Sequence, residues 1–279
     1  YGHAYYTSRE TGEVLETQNK QSGEERNHEI AGYADIRQDI FSWLTAEAGL
    51  RYDHHTVTGS EWIPQMGIVI RPLRNGELKL MASKGFRNPT MREMYLYPPS
   101  NTDLEPEQTW SYEVSWKHRL LARRLHYGVN LFYIDADNII QTVNRKNVNT
   151  GALRNKGAEI ELQYHINRHW SINTNHSWLD MRYPVVSAPK YKGYLGASMS
   201  YGRWSGSAGL MQVCGLYTAV GENSTTEDFT LLNATVGYAA SKHARLWIKG
   251  ENLLAQKYEY MAGMPMPRAT FMCGVNVEF

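Results

Sequence analysis

The sequence is poor in several things most folds lean on. Among 279 residues it has two cysteines, Cys214 and Cys273, too few for a disulfide framework, and both are expected to be lone apolar side chains. It has almost no net charge: 29 Lys and Arg face 28 Asp and Glu, a formal +1. That removes the strong field that would draw the protein to nucleic acid or to an anionic membrane surface. It has no apolar run of the ~18 residues or more that a transmembrane helix needs. No segment sustains a helical period of about 3.6 residues. The chain opens on Tyr1 rather than Met, with no charged stretch followed by an apolar one; such a pair would mark a signal peptide. Residues 1–7 already look like a strand. The chain is therefore expected to be a piece of a longer protein, cut inside a domain.

What the sequence has is alternation. Back from the end, Phe279, Val277, Val275, Cys273 and Phe271 are apolar, while Glu278, Asn276, Gly274, Met272 and Thr270 are mostly polar or small. The pattern recurs upstream. Leu44, Ala46, Ala48, Leu50 and Tyr52 oppose Thr45, Glu47, Gly49, Arg51 and Asp53. Trp110, Tyr112, Val114 and Trp116 oppose Ser111, Glu113, Ser115 and Lys117, and Ala158, Ile160 and Leu162 oppose Glu159, Glu161 and Gln163. Period two, held over about ten residues and repeated this often, signals strands. The connections alternate in length. Short ones are expected at 39–42, 71–76, 119–124, 165–169, 201–203 and 239–243. Long ones are expected at 8–27, 85–106, 136–155, 180–192, 216–228 and 252–267, with 54–61 only moderately long. Roughly fourteen strands in one antiparallel meander, with short turns at one end and long loops at the other, fit an outer-membrane barrel.

The solvent on each face follows from length and polarity. Strands of a soluble sandwich average about six residues, and a tilted strand of about 9–11 residues crosses a bilayer. The strands here are of the longer kind, and their polar face is polar along its whole length. Aromatics near strand ends (Trp43, Tyr52, Trp62, Trp110, Tyr133, Trp170, Trp178, Tyr201, Trp204 and Tyr238) match the two interfacial girdles of such barrels. The apolar face is thus expected to meet outer-membrane lipid and the polar face a wet lumen.

Several stretches then match a family. Ser83-Lys-Gly-Phe-Arg-Asn-Pro-Thr-Met-Arg-Glu-Met-Tyr95, followed by Asn101-Thr-Asp-Leu-Glu-Pro-Glu107, resembles a paired motif of TonB-dependent outer-membrane receptors. Gly49-Leu-Arg-Tyr-Asp53, Glu251-Asn-Leu-Leu-Ala-Gln-Lys-Tyr258 and Gly263-Met-Pro-Met-Pro-Arg268 are similar to further family segments, in the family's order. The resemblance implies the C-terminal portion, residues 1–279, of a barrel of about 22 strands around a plug, with the plug and first strands absent. It implies an outer-membrane location and active import energised by TonB–ExbB–ExbD through that missing plug. Phe279, with Phe271, resembles the signal read by the barrel-insertion machinery. The cargo most frequent in the family is a ferric siderophore; haem or cobalamin is the alternative within it, and a passive porin the alternative outside it. Haem receptors of this family commonly carry a His between the two boxes, and residues 90–100 contain none.

Residue chemistry agrees with binding rather than catalysis. The long loops carry Arg87, Arg92, Tyr95 and Tyr97, then Arg145 and Lys146, then Arg182, Tyr183, Lys190, Tyr191 and Lys192. Cations beside phenols suit an anionic, aromatic-rich small molecule through charge-assisted hydrogen bonds and cation–π contact. Arg87, Arg92, Tyr95, Tyr97, Arg145, Arg182 and Tyr183 are the candidate ligand residues. Asp53-His54-His55 is the one stretch resembling a catalytic set. Adjacent residues of a strand point to opposite faces, so the two histidines cannot easily share a metal, and no nucleophile motif accompanies them. They are expected to be solvated, with no cofactor, metal or enzyme activity.

Overall fold

The computed structural model describes residues 5–7, 14–16, 27–96 and 99–278. A small hairpin of β1 (Tyr5–Thr7) and β2 (Val14–Glu16) stands apart from the main sheet. The main sheet runs β3 (Glu29–Phe41), β4 (Leu44–His55), β5 (Gly59–Leu73), β6 (Gly76–Arg87), β7 (Glu107–Leu120), β8 (Leu125–Val143), β9 (Lys146–His165), β10 (Trp170–Met181), β11 (Tyr191–Tyr201), β12 (Trp204–Ala219), β13 (Thr225–Ala239), β14 (Ala244–Glu251) and β15 (Thr270–Val277). These thirteen strands form one meander, each pairing antiparallel with its chain neighbours. Among the described residues the sheet stays open, with β3 and β15 as its edges.

Register shows why the two faces differ. One row across the sheet reads Ala46, Ile68, Leu80, Val114, Leu131, Ala158, Trp178, Tyr191 and Cys214. The adjacent row, on the other face, reads Lys79, Ser115, Asn130, Glu159, Ser177 and Lys192. The apolar row belongs to an outer surface on which Phe271 is 71% and Ile248 64% exposed. A continuous apolar surface of this extent suits a membrane and would be an aggregation hazard in water. The girdle aromatics meet in pairs at both ends. At the long-loop end Tyr52 lies 4.7 Å from Trp62, and Trp178 5.5 Å from Tyr191. At the short-turn end Phe41 lies 5.5 Å from Trp43, and Trp204 4.8 Å from Tyr238.

Two expected loops are mostly strand. Residues 136–155 continue β8 and β9 to lengths of 19 and 20 residues, joined by Asn144-Arg145. Both turn residues have positive φ, 49° and 67°, the backbone of a type I′ turn, whose twist matches paired strands. Polar side chains hide this hairpin from a reading based on apolar alternation. Residues 216–228 likewise extend β12 and β13, leaving 220–224 as the connection. The loops at 88–106, 182–190 and 252–269 are long, as expected.

Over β12 and β13 the inner face turns apolar. Val213, Leu216, Phe229 and Leu231 form a buried cluster on β12 and β13. The 252–269 connection folds back over it, with Tyr258 and Tyr260 packing at 4.4 and 5.8 Å from the Phe229 ring. Buried Asn252 starts this return. Its amide donates to the carbonyls of Gln256 and Pro267, its side-chain oxygen accepts from Gln256 N, and its own N–H donates to Asn233 Oδ1. Its φ is +47°, a conformation asparagine tolerates better than most residues. The Asn and Tyr of the Glu251–Tyr258 motif are thus fixtures of the fold.

Candidate functional site: the long-loop rim

The rim is organised around Arg87, the last residue of β6. Its guanidinium donates to both oxygens of Glu107 at 2.7 and 2.6 Å, and to both oxygens of Glu93 at 2.9 and 3.1 Å. The two boxes of the sequence motif, 83–95 and 101–107, are therefore one physical clasp. Between them the chain makes a short π-helical turn, Arg92–Leu96. Thr90 opens it with a capping box: its hydroxyl accepts from Glu93 N while Glu93 accepts from Thr90 N and Oγ1. This reciprocal pattern satisfies amides that a helix start leaves unpaired. Met94, Leu104, Pro89 and Pro106 are buried beneath.

The charges respond to that geometry. Hydrogen bonds to Glu107 and Glu93 push the Arg87 guanidinium above its ordinary range. Hydrogen bonds from Arg87, with help from Thr90, bring Glu93 from 4.5 down to about 2. Glu107 is lowered by the same guanidinium, against an opposing effect of burial. One cation between two carboxylates leaves a net charge of −1, so Arg87 cannot act as a free anion receptor. A carboxylate with a lowered folded pKa stabilises the fold above its unfolded pKa, and that contribution disappears as pH falls through the folded value. For Glu93 the window runs from 4.5 down to about 2. The protection of the 88–106 amides, measured against their intrinsic exchange rates at each pH, is thus expected to hold from neutral pH to the top of that window and to fall below it. A loss of protection already at pH 6 would contradict this.

Asparagines fasten the clasped loop to the β8–β9 hairpin. Asn149 donates to the carbonyls of Glu105 and Asn138, and accepts from Glu105 N. Asn147 donates to Glu93 O, Asn101 to Asn147 O, and Asn138 to the Glu105 carboxylate. Glu107 also accepts from Ile140 N at 2.9 Å. Sequence reasoning missed these residues. The signal was there: Asn147 and Asn149 alternate along β9, so both reach the same side.

The candidate ligand residues separate into groups. Arg87 is committed to the clasp. Arg92 lies exposed on the π-helical turn and Tyr95 is half-buried there. Tyr97 lies outside the described residues, as does Phe279. Arg145 is exposed at the hairpin tip. Arg182 and Tyr183 are exposed on the 182–190 loop, with the guanidinium 5.7 Å from the ring centre. Lys190 on the same loop sits 5.4 Å from the Tyr217 ring. Phe271 stands on the outer face of β15.

The histidine expectation needs correction. His54 is exposed and bonds Ser60 Oγ at 2.8 Å, but His55 is 4% exposed. His55 Nδ1 accepts from the N–H groups of Val57 and Thr58, capping the turn, and Thr58 Oγ1 donates to Asn88 Oδ1. His55 is a buried fixture of the 56–58 turn, which Thr58 joins to the clasped loop. Beside it Asp53 is buried and paired with Arg51 at 2.6 Å.

Comparison with known proteins bears on the whole of this architecture. Residues 1–253 match the family described as TonB dependent receptor-like, beta-barrel. No curated protein matches the sequence. Among solved structures, the ferric-catecholate import receptor Fiu from K12 E. coli is similar at a TM-score of 0.75 and 17% identity, over 91% of this chain and 45% of that one. The siderophore receptor PirA from Acinetobacter baumannii gives 0.77 and 14%, over 91% and 46%. The copper transporter OprC gives 0.75 and 14%, over 99% and 51%. Identities this low show a shared fold alone, and the chain spans about half the length of these structures. The family is one of outer-membrane receptors rather than enzymes. With the family match running to residue 253, and with its paired motif closed into a clasp at the rim of a two-faced meander, the chain belongs to the TonB-dependent receptor β-barrel family.

Proposed function

We propose that residues 1–279 are the C-terminal portion of the barrel domain of an outer-membrane importer whose cargo is a ferric siderophore. The observation that carries the reading is the exposed Arg182–Tyr183 pair on a long loop of the rim. A guanidinium over a phenol ring offers a cation and an aromatic face together, which suits an anionic, ring-bearing chelate. Arg145 at the hairpin tip and Arg92 and Tyr95 on the clasped loop supply further cations and phenols around the same opening. Tyr97, which falls between them in sequence, belongs with this set. Energy comes from TonB–ExbB–ExbD through a plug that is not in this chain. Phe279 and Phe271 serve the barrel-insertion machinery. The ferric-catecholate and siderophore cargoes for which Fiu and PirA are named lend support as analogy.

The test is uptake of radioactive ferric siderophores by cells producing the full-length protein, with and without TonB. Uptake is expected to need TonB. Replacing Arg182 and Tyr183 by alanine is expected to weaken ligand binding about tenfold, the loss of one favourable cation–π and hydrogen-bonding partner. Failure to bind any ferric siderophore would overturn the cargo. Uptake of haem or cobalamin instead would replace it, and uptake that persists without TonB would make the protein a passive pore.

A further inference from the structure

Residues 258–266 carry a second chemistry that siderophore binding does not use. The segment is a hairpin. Met266 N donates to Tyr258 O at 3.0 Å, Glu259 and Pro265 form an antiparallel bridge, and Met264 N donates to Met261 O at 3.0 Å. Gly263, with φ +78°, supplies the left-handed residue of the turn, as a type II turn requires at its third position. The hairpin is held on several sides. Tyr258 and Tyr260 pack on Phe229, Ala262 N donates to Thr218 O, and Ser187 Oγ donates to Tyr260 O.

Its three methionines do not share in that packing. Met261, Met264 and Met266 are 45%, 61% and 37% exposed. The hairpin covers the inner face of β12 and β13, so lipid does not explain the exposure. Met264 and Met266 flank the bridged Pro265, two residues apart and so about 7 Å apart at Cα in extended chain. Met261 opens the turn that Met264 closes, so their Cα atoms also lie within about 7 Å. A methionine side chain has three rotatable bonds and a soft, polarizable sulfur. Three such sulfurs on a fixed turn can converge on one ion. Two carboxylates at this turn each hold a backbone amide: Glu259 accepts from Gly263 N, and Glu227 from Glu259 N, each at 2.7 Å. Thioethers are soft ligands that select Cu(I) over hard cations. The Glu259 carboxylate still places a negative charge at the same turn.

We infer that Met261, Met264 and Met266 form a rim site for a soft monovalent metal ion, Cu(I) or its redox-inert analogue Ag(I). The site stands independently of the cargo proposed above. The experiment is calorimetric titration of the detergent-solubilised full-length protein with Ag(I), and competition for Cu(I) against bicinchoninate under reducing conditions. The Met261→Leu, Met264→Leu, Met266→Leu triple variant is compared with Met272→Leu on β15. Leucine preserves volume and apolarity. With Cys214 and Cys273 replaced by serine to remove competing thiolates, the otherwise wild-type protein and Met272→Leu are expected to bind one equivalent with sulfur neighbours in X-ray absorption, and the triple variant at least a hundredfold more weakly. No binding by the wild type, undiminished binding by the triple variant, or only nitrogen and oxygen neighbours around the metal would each overturn the site. Ferric siderophore binding, measured on the same samples, tells its own failure from that of the cargo.

Discussion

Arginine in place of Leu131 is expected to block barrel assembly, while arginine in place of Asn130, one residue away, is expected to be tolerated. Leu131 is 50% exposed on the apolar face and sits between Val114 and Ala158 in register. A cation at the lipid-facing middle of a barrel costs about 2–4 kcal/mol. Asn130 sits in the polar row between Ser115 and Glu159, with its amide 3.4 Å from the Glu159 carboxylate. An arginine there gains a counter-charge and water. The heat-modifiable gel shift of the protein in outer-membrane fractions reads the outcome. Equal assembly of the two variants would mean that the two faces have been assigned to the wrong solvents.

Removing Arg87 is expected to free the 88–106 loop. Alanine there strands Glu93 and Glu107, two carboxylates that now share one cation. Stranding a charge costs about 3–5 kcal/mol in a buried pair, but Arg87 is 43% exposed, so solvent screening reduces the loss well below that. The local effect should nonetheless be large, because the clasp is what joins the two arms of the loop. Cleavage of 88–106 by added protease is expected to rise at least tenfold in Arg87→Ala. Arg87→Lys should rescue only partly, since a lysine cannot hold two carboxylates in bidentate fashion. Adding Glu93→Gln to Arg87→Ala should restore some protection by removing one stranded charge. Unchanged cleavage in Arg87→Ala would show that the asparagine bonds alone hold the loop.

Much of this was legible in the sequence because lipid-facing and lumen-facing residues alternate strictly. The period-two rows gave strand positions, and the short turns fell where charged and small residues interrupt them. The β8–β9 extension was illegible for the opposite reason. Beyond Ala136 one side of it meets the clasped loop and the other leaves the lipid-facing band, so apolar alternation stops while the hydrogen-bonded ladder continues. At the rim, residue type suggested that Arg87 would meet a ligand, because an arginine in a loop looks the same whether free or paired. Its partners are up to 20 residues away in sequence, and only the fold brings them together. His55 misled in a similar way: a polar residue at a strand end reads as solvated until the turn that it caps is seen to cover it.

The braced hairpin also limits how the rim can move. The tip at Asn144-Arg145 begins eight residues beyond Ala136, up to about 27 Å at the rise of an extended strand. Asn101, Asn147 and Asn149 tie the part of the hairpin nearest its tip to the clasped loop at 2.8–2.9 Å. The arm and the 88–106 loop therefore behave as a single lever, and a push at the tip is felt at Arg87. The 182–190 connection is fastened in the same manner, through Ser187 N to Tyr217 O and through Ser187 Oγ to Tyr260 O, so each of these two long loops leans on a neighbour as a door frame leans on its wall.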